Sequence, residues 1–90
     1  MDREAAETLA LEALTFLATD ERRLGALLAQ AGWTLPELRA GLGDPHVLAG
    51  ILDFVLSDER LVAGFCEVSG CTLETPMRAR SALPGAAFEQ

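Results

Sequence analysis

The chain has 90 residues, half of them hydrophobic, and 7 Lys plus Arg against 14 Asp plus Glu leave a formal charge of −7. A chain of this size supports one small domain with stability near the low end of roughly 5–15 kcal/mol, so function in a deep internal pocket is not expected. All seven cations are arginines, dispersed as Arg3, Arg22, Arg23, Arg39, Arg60, Arg78 and Arg80, which argues against direct nucleic-acid binding, because phosphate neutralisation needs clustered basic side chains.

Only Arg78 and Arg80 are spaced to face an anion from one helix end. An anionic membrane surface is disfavoured for the same reason. No apolar run reaches the roughly 18–20 residues of a transmembrane helix, and Met1-Asp2-Arg3-Glu4 lacks the basic-then-apolar pattern of a signal peptide. The expected location is the cytoplasm.

Residues 4–18 hold no Gly or Pro and are rich in Ala, Leu and Glu, the strong helix formers. Leu9, Ala13, Phe16 and Leu17 fall on one face at i, i+4, i+7 and i+8, and Leu11 and Leu14 widen the stripe. Thr19 or Asp20 caps a second helix with Leu24, Leu27 and Leu28 inward and Gly32 as its stop. Thr34-Leu35-Pro36-Glu37 opens a third helix as a capping box. After Gly41 and Gly43, Asp44-Pro45 starts a fourth helix running to about Leu56, with Val47, Leu48, Ile51, Leu52, Val55 and Leu56 apolar. Ser57 or Asp58 caps a fifth, which carries Leu61, Val62, Phe65 and Cys66 and ends near Gly70. Thr72 or Thr75-Pro76 begins a sixth, marked by Met77 and Leu83 and stopped by Pro84-Gly85. No stretch alternates with period two, so the class is all-α: a six-helix compact bundle over residues 1–84, with 85–90 as a flexible tail.

Displacing the sequence by 38 residues aligns Leu14 with Leu52, Phe16 with Phe54, Asp20-Glu21-Arg22 with Asp58-Glu59-Arg60, Gly32 with Gly70, and Thr34-Leu35 with Thr72-Leu73. These are eight identities in 22 ungapped positions, against about two expected by chance, and they mark an internal duplication. Two three-helix repeats are expected, residues 5–42 and 44–83, and one inserted residue extends the pairing to Leu38/Met77, Arg39/Arg78 and Ala40/Ala79.

Few residues suggest chemistry. Cys66 and Cys71 form a C-x4-C pair, open to a redox, metal or disulfide reading. If Gly32 and Gly70 are left-handed helix stops, the residue after each packs on the residue four before it, Trp33 on Leu28 and Cys71 on Cys66, which brings two structural thiols together without redox purpose. A labile disulfide is the alternative, and zinc would need two more ligands. His46, in the first turn of the fourth helix, has no nucleophile beside it by local spacing and reads as a surface residue. The Asp-Glu-Arg triplets read as helix starts. Residues 27–39 have a helix-turn-helix outline, but the would-be recognition helix begins Leu35-Pro36-Glu37-Leu38, with none of the base-reading side chains expected there. No phosphate loop, H-E-x-x-H, nucleophile elbow or EF-hand loop is present.

The runs Leu9–Asp20, Arg23-Leu24, Ala31–Arg39, Asp44-Pro45, Val47–Leu56 and Arg78–Pro84 resemble a family of short alphaproteobacterial proteins, domain of unknown function 3572. The resemblance implies a bacterial, cytoplasmic, stand-alone helical protein and brings no catalytic residues. Together these readings point to a non-enzymatic interaction module or scaffold that buries an apolar groove or patch around Trp33 against a partner protein or a second copy. Trp33, Arg39 and Phe88 are the candidate contacts, and no cofactor is required. The alternatives are a regulator that binds a DNA-associated protein through its acidic surface, and a thiol- or metal-dependent activity through Cys66 and Cys71.

Overall fold

A computed structural model describes residues 1–85. They form six helices, α1 (Arg3–Ala18), α2 (Glu21–Ala31), α3 (Leu35–Ala40), α4 (Pro45–Leu56), α5 (Glu59–Ser69) and α6 (Glu74–Ser81), and no strand among the described residues. The protein is an all-α bundle.

Caps set the helix limits. Asp2 accepts from the Ala5 N–H at 2.7 Å to start α1. At its other end the Thr19 hydroxyl donates to the Phe16 carbonyl at 2.7 Å, and the next residue, Asp20, accepts from the Arg22 N–H at 2.9 Å to begin α2. The α4–α5 corner has the same parts: Ser57 donates to the Phe54 carbonyl at 2.6 Å, and Asp58 accepts from the Arg60 N–H at 2.9 Å. Backbone angles match too, with φ −133°, ψ 114° at Asp20 and φ −140°, ψ 116° at Asp58. Each following helix stops on a left-handed glycine, Gly32 at φ 77° and Gly70 at φ 76°, a conformation costly for any residue with a Cβ.

The inner face of α1 is a line of small residues, Ala6, Ala10 and Ala13, with Leu9, Phe16 and Leu17 beside it, all buried. It packs against α4, whose Leu48, Ile51, Leu52 and Val55 are buried in turn, and α6 lies across both. Helices α2 and α5 flank this centre, while α3 makes only slight helix contacts and is held by Leu38. One apolar cluster joins all six helices, and no polar or charged side chain is buried among the described residues.

Three expectations need correction. Helix α6 starts at Glu74, with Leu73 as an αR N-cap that makes no side-chain bond; the Thr72 and Thr75 hydroxyls pair with each other at 3.0 Å instead of capping. Its buried residues are Pro76 and Ala79, with Leu83 beyond its end, whereas Met77 is 61% exposed and Leu38 is 2% exposed, so the Leu38/Met77 pairing does not describe equivalent positions. Leu11 lies outside the buried stripe of α1, because an apolar residue two positions past Leu9 turns away from the face that Leu9 occupies. Phe88 lies outside the described residues.

At the start of α3 the capping box is complete. Glu37 N–H donates to the Thr34 hydroxyl at 3.2 Å, and Thr34 N–H donates to the Glu37 carboxylate at 2.9 Å. The Thr34 backbone bond, aided by its side-chain bond, holds the Glu37 carboxyl below the usual range. Thr34→Ala is expected to lower the unfolding free energy by about 1 kcal/mol in urea titration. Because Glu37 binds its proton more weakly folded than unfolded, its charge stabilises above the ordinary carboxylate pKa, and the gain is lost as pH falls through the depressed folded value. The stability difference between wild type and Glu37→Gln should therefore vanish in acid.

Candidate functional site

The last turns of α1 bring Glu12, Thr15, Phe16 and Thr19 to one face, at i, i+3, i+4 and i+7, and the last turns of α5 bring up Phe65, Val68 and Ser69 with similar spacing. With Arg23 from α2 they enclose a groove of about 520 Å3. Its floor is aromatic: the Phe16 and Phe65 rings lie with centroids 5.9 Å apart and planes tilted by 56°. The Arg23 guanidinium sits 4.9 Å from the Phe16 centroid, a cation–π contact at the groove rim. On α5, a Cβ on Gly64 would lie 3.1 Å from Phe16 Cζ, so glycine there lets α5 approach this ring. Val68 remains 74% exposed on one wall.

The polar groups at the rim are largely committed. Thr15 donates to the Leu11 carbonyl at 3.0 Å and Thr19 to that of Phe16, and Arg23 Nε lies 3.8 Å from an Asp20 oxygen. What the groove presents outward is apolar surface between one cation, Arg23, and one anion, Glu12.

The thiols lie beside this groove. Gly70 N–H donates to the Cys66 carbonyl at 2.8 Å, and the chain turns back so that the Cys71 thiol meets Cys66 Sγ at 3.3 Å. Ser69 belongs to both places, lining the groove and donating its hydroxyl to Cys71 Sγ at 3.1 Å. Cys66 is 7% exposed. Burial first, and then the hydrogen bond and charge of Cys71, push the Cys66 thiol up to about 11. No group of three or more His, Cys, Asp or Glu suited to a metal ion occurs among the described residues.

The other candidates are elsewhere. Trp33 N–H closes the α2 stop on the Leu28 carbonyl at 3.0 Å, and its indole lies on α4, where a Cβ at Gly50 would come within 2.8 Å of Cη2. The ring is partly buried against the core, beside a hollow of about 280 Å3. Arg39 is exposed and makes no hydrogen bond or ion pair among the described residues. His46 is exposed, its backbone N–H donating to Asp44 at 2.9 Å.

Arg78 and Arg80 do not form an anion site. Arg78 pairs with Glu74 at 3.3 Å. Arg80 reaches from α6 to Asp53 on α4 at 2.6 Å and donates to the carbonyls of Leu83 and Pro84 at 3.4 and 3.0 Å. A second, more open hollow of about 710 Å3 beside α6 is lined by Met1, Met77 and Ala82, but its rim charges, Glu74 and Arg78, already satisfy each other.

Reading the sequence missed the groove and the Trp33–Gly50 contact, since both arise from residues far apart in the chain. Gly50 and Gly64, glycines inside helical stretches, are the one local signal that something approaches closely there. Gly50→Ala is expected to displace the indole and destabilise the fold by about 1–3 kcal/mol. Because Trp33 is the sole tryptophan, red-shifted emission and faster acrylamide quenching at an unchanged helical content would report the displacement.

No curated protein and no solved structure matches the chain. A family model described as Protein of unknown function (DUF3572) matches residues 3–86. That span takes in every described helix, and the chain belongs to this family.

Proposed function

We propose that the protein is an interaction module whose groove between α1, α2 and α5 receives the apolar face of a basic amphipathic helix from a partner protein. The observation that carries this reading is an apolar groove whose floor, Phe16 and Phe65, is itself buried core and so preformed, and whose wall offers the 74% exposed Val68 to a partner. Helix-in-groove recognition buries anchors spaced three and four residues apart, and the groove is lined at that spacing on both walls. The charge of −7 favours a basic partner and speeds its encounter. It also opposes pairing of two copies. Trp33 then serves the scaffold, since its indole is already spent on α4. The matching corners at Asp20 and Asp58 and the matching stops at Gly32 and Gly70 support an internal duplication, with the groove built where α1 of one half meets α5 of the other. The family resemblance favours a bacterial cytoplasmic setting.

A photo-crosslinking residue placed at Val68 or Thr15 of the full chain, expressed at native level, tests the reading. Both positions should capture the same partner protein, and Val68→Glu should weaken that capture at least about tenfold, near 1.4 kcal/mol, with the fold intact. Adducts formed only from Met77 or Leu73 would move the interface to α6. Adducts between two copies of the chain would make the partner a second copy.

A further inference from the structure

We infer that Cys66 and Cys71 form a reversible dithiol switch, in which the two thiols of the folded chain close to an intramolecular disulfide at the expense of a low-molecular-weight disulfide. The α5 stop sets the geometry. The left-handed Gly70 returns the chain over the last turn of α5 and holds the sulfurs 3.3 Å apart, so closing to the roughly 2.05 Å of a disulfide calls on local rotation and not on movement of a helix. The same stop in α2 carries Leu28 and Trp33 at these positions, so the thiol pair belongs to the α5 end alone.

The two cysteines differ in access and in partners. Cys71 is partly exposed, and the Ser69 hydroxyl is bonded to its sulfur. Cys66 is buried, and its thiol donates to the Thr72 carbonyl at 3.3 Å. Cys71 is therefore the attacking thiol and Cys66 the resolving one. In the first step Cys71, having released its proton to solvent, attacks one sulfur of the small disulfide. The small S–S bond breaks, a mixed disulfide forms on Cys71, and one small thiol leaves after taking a proton. In the second step Cys66 loses its proton and attacks Cys71 Sγ. The mixed bond breaks, the Cys66–Cys71 bond forms, and the second small thiol leaves. The protein gives up two electrons and two protons, and the small disulfide becomes two thiols.

Burial and the bond to the Thr72 carbonyl both hold the Cys66 proton, so its ionisation is the demanding part of the second step. Because Ser69 both lines the groove and donates to Cys71 Sγ, the change of state occurs one hydrogen bond from the groove wall.

The test equilibrates the full chain, without oxygen, against graded ratios of glutathione to glutathione disulfide, followed by quenching with iodoacetamide and intact-mass analysis. The folded monomer should pass from two alkylated thiols to none without accumulating a glutathione adduct, and should hold its disulfide at least about tenfold more tightly than the same chain in concentrated urea. Cys66→Ser should trap glutathione on Cys71, and Cys71→Ser should leave Cys66 free over the same period. Wild type that stops at the mixed disulfide, a folded chain no easier to oxidise than the unfolded one, or Cys66 capturing glutathione as fast as Cys71 would each overturn the proposal.

Discussion

The packing of α1 on α4 is the constraint from which the other helices take their places. Alanines at positions 6, 10 and 13, all fully buried, leave α1 without bulk along one line, so both α4 and α6 can lie against it. Helices α2 and α5 are then set by two-residue links at Thr19-Asp20 and Ser57-Asp58, too short to allow a choice of direction. In so small a domain the apolar area available is limited, and close approach of backbones is the way to extract dispersion and burial from it. Gly50 under Trp33 and Gly64 under Phe16 extend the same solution to the flanks.

Among the described residues the core has no buried polar side chain to anchor specificity from within, and the polar groups act at the helix ends and across the surface instead. Caps state where each helix begins. The Arg80–Asp53 bond, with Arg80 mostly covered and also bound to the carbonyls of Leu83 and Pro84, fixes α6 against α4. The groove lies at the far end of α1, where Glu12, Thr15, Phe16 and Thr19 meet residues of α2 and α5 without closing completely against them.

Much of the architecture was legible because its signals are local. Asp20, Thr34, Asp44 and Asp58 announce helix starts, and Gly32 and Gly70 announce stops. Even the meeting of Cys66 and Cys71 could be read in advance, since a left-handed stop dictates which neighbours touch. The sixth helix was harder. It lacks a side-chain cap, and its inner face of Pro76 and Ala79 has no strong hydrophobic periodicity, so Met77 drew a reading that its exposure overturns. The groove, the Trp33–Gly50 contact and the Arg80–Asp53 bond join residues 17 to more than 50 positions apart. Periodicity within one helix carries no information on which face of another helix will meet it.

The two-residue corners also govern how the molecule comes apart. At each corner a hydroxyl closes one helix on its own carbonyl while the adjacent aspartate caps the next, so fraying of α1 at Thr19 strips the start of α2, and fraying of α4 at Ser57 strips that of α5. Each corner thereby couples the two helix ends that meet there, so that amide protons on either side of it are expected to exchange together. The two helix pairs stay joined through the packing of α1 on α4, so opening at a corner is confined to the helix ends that meet there.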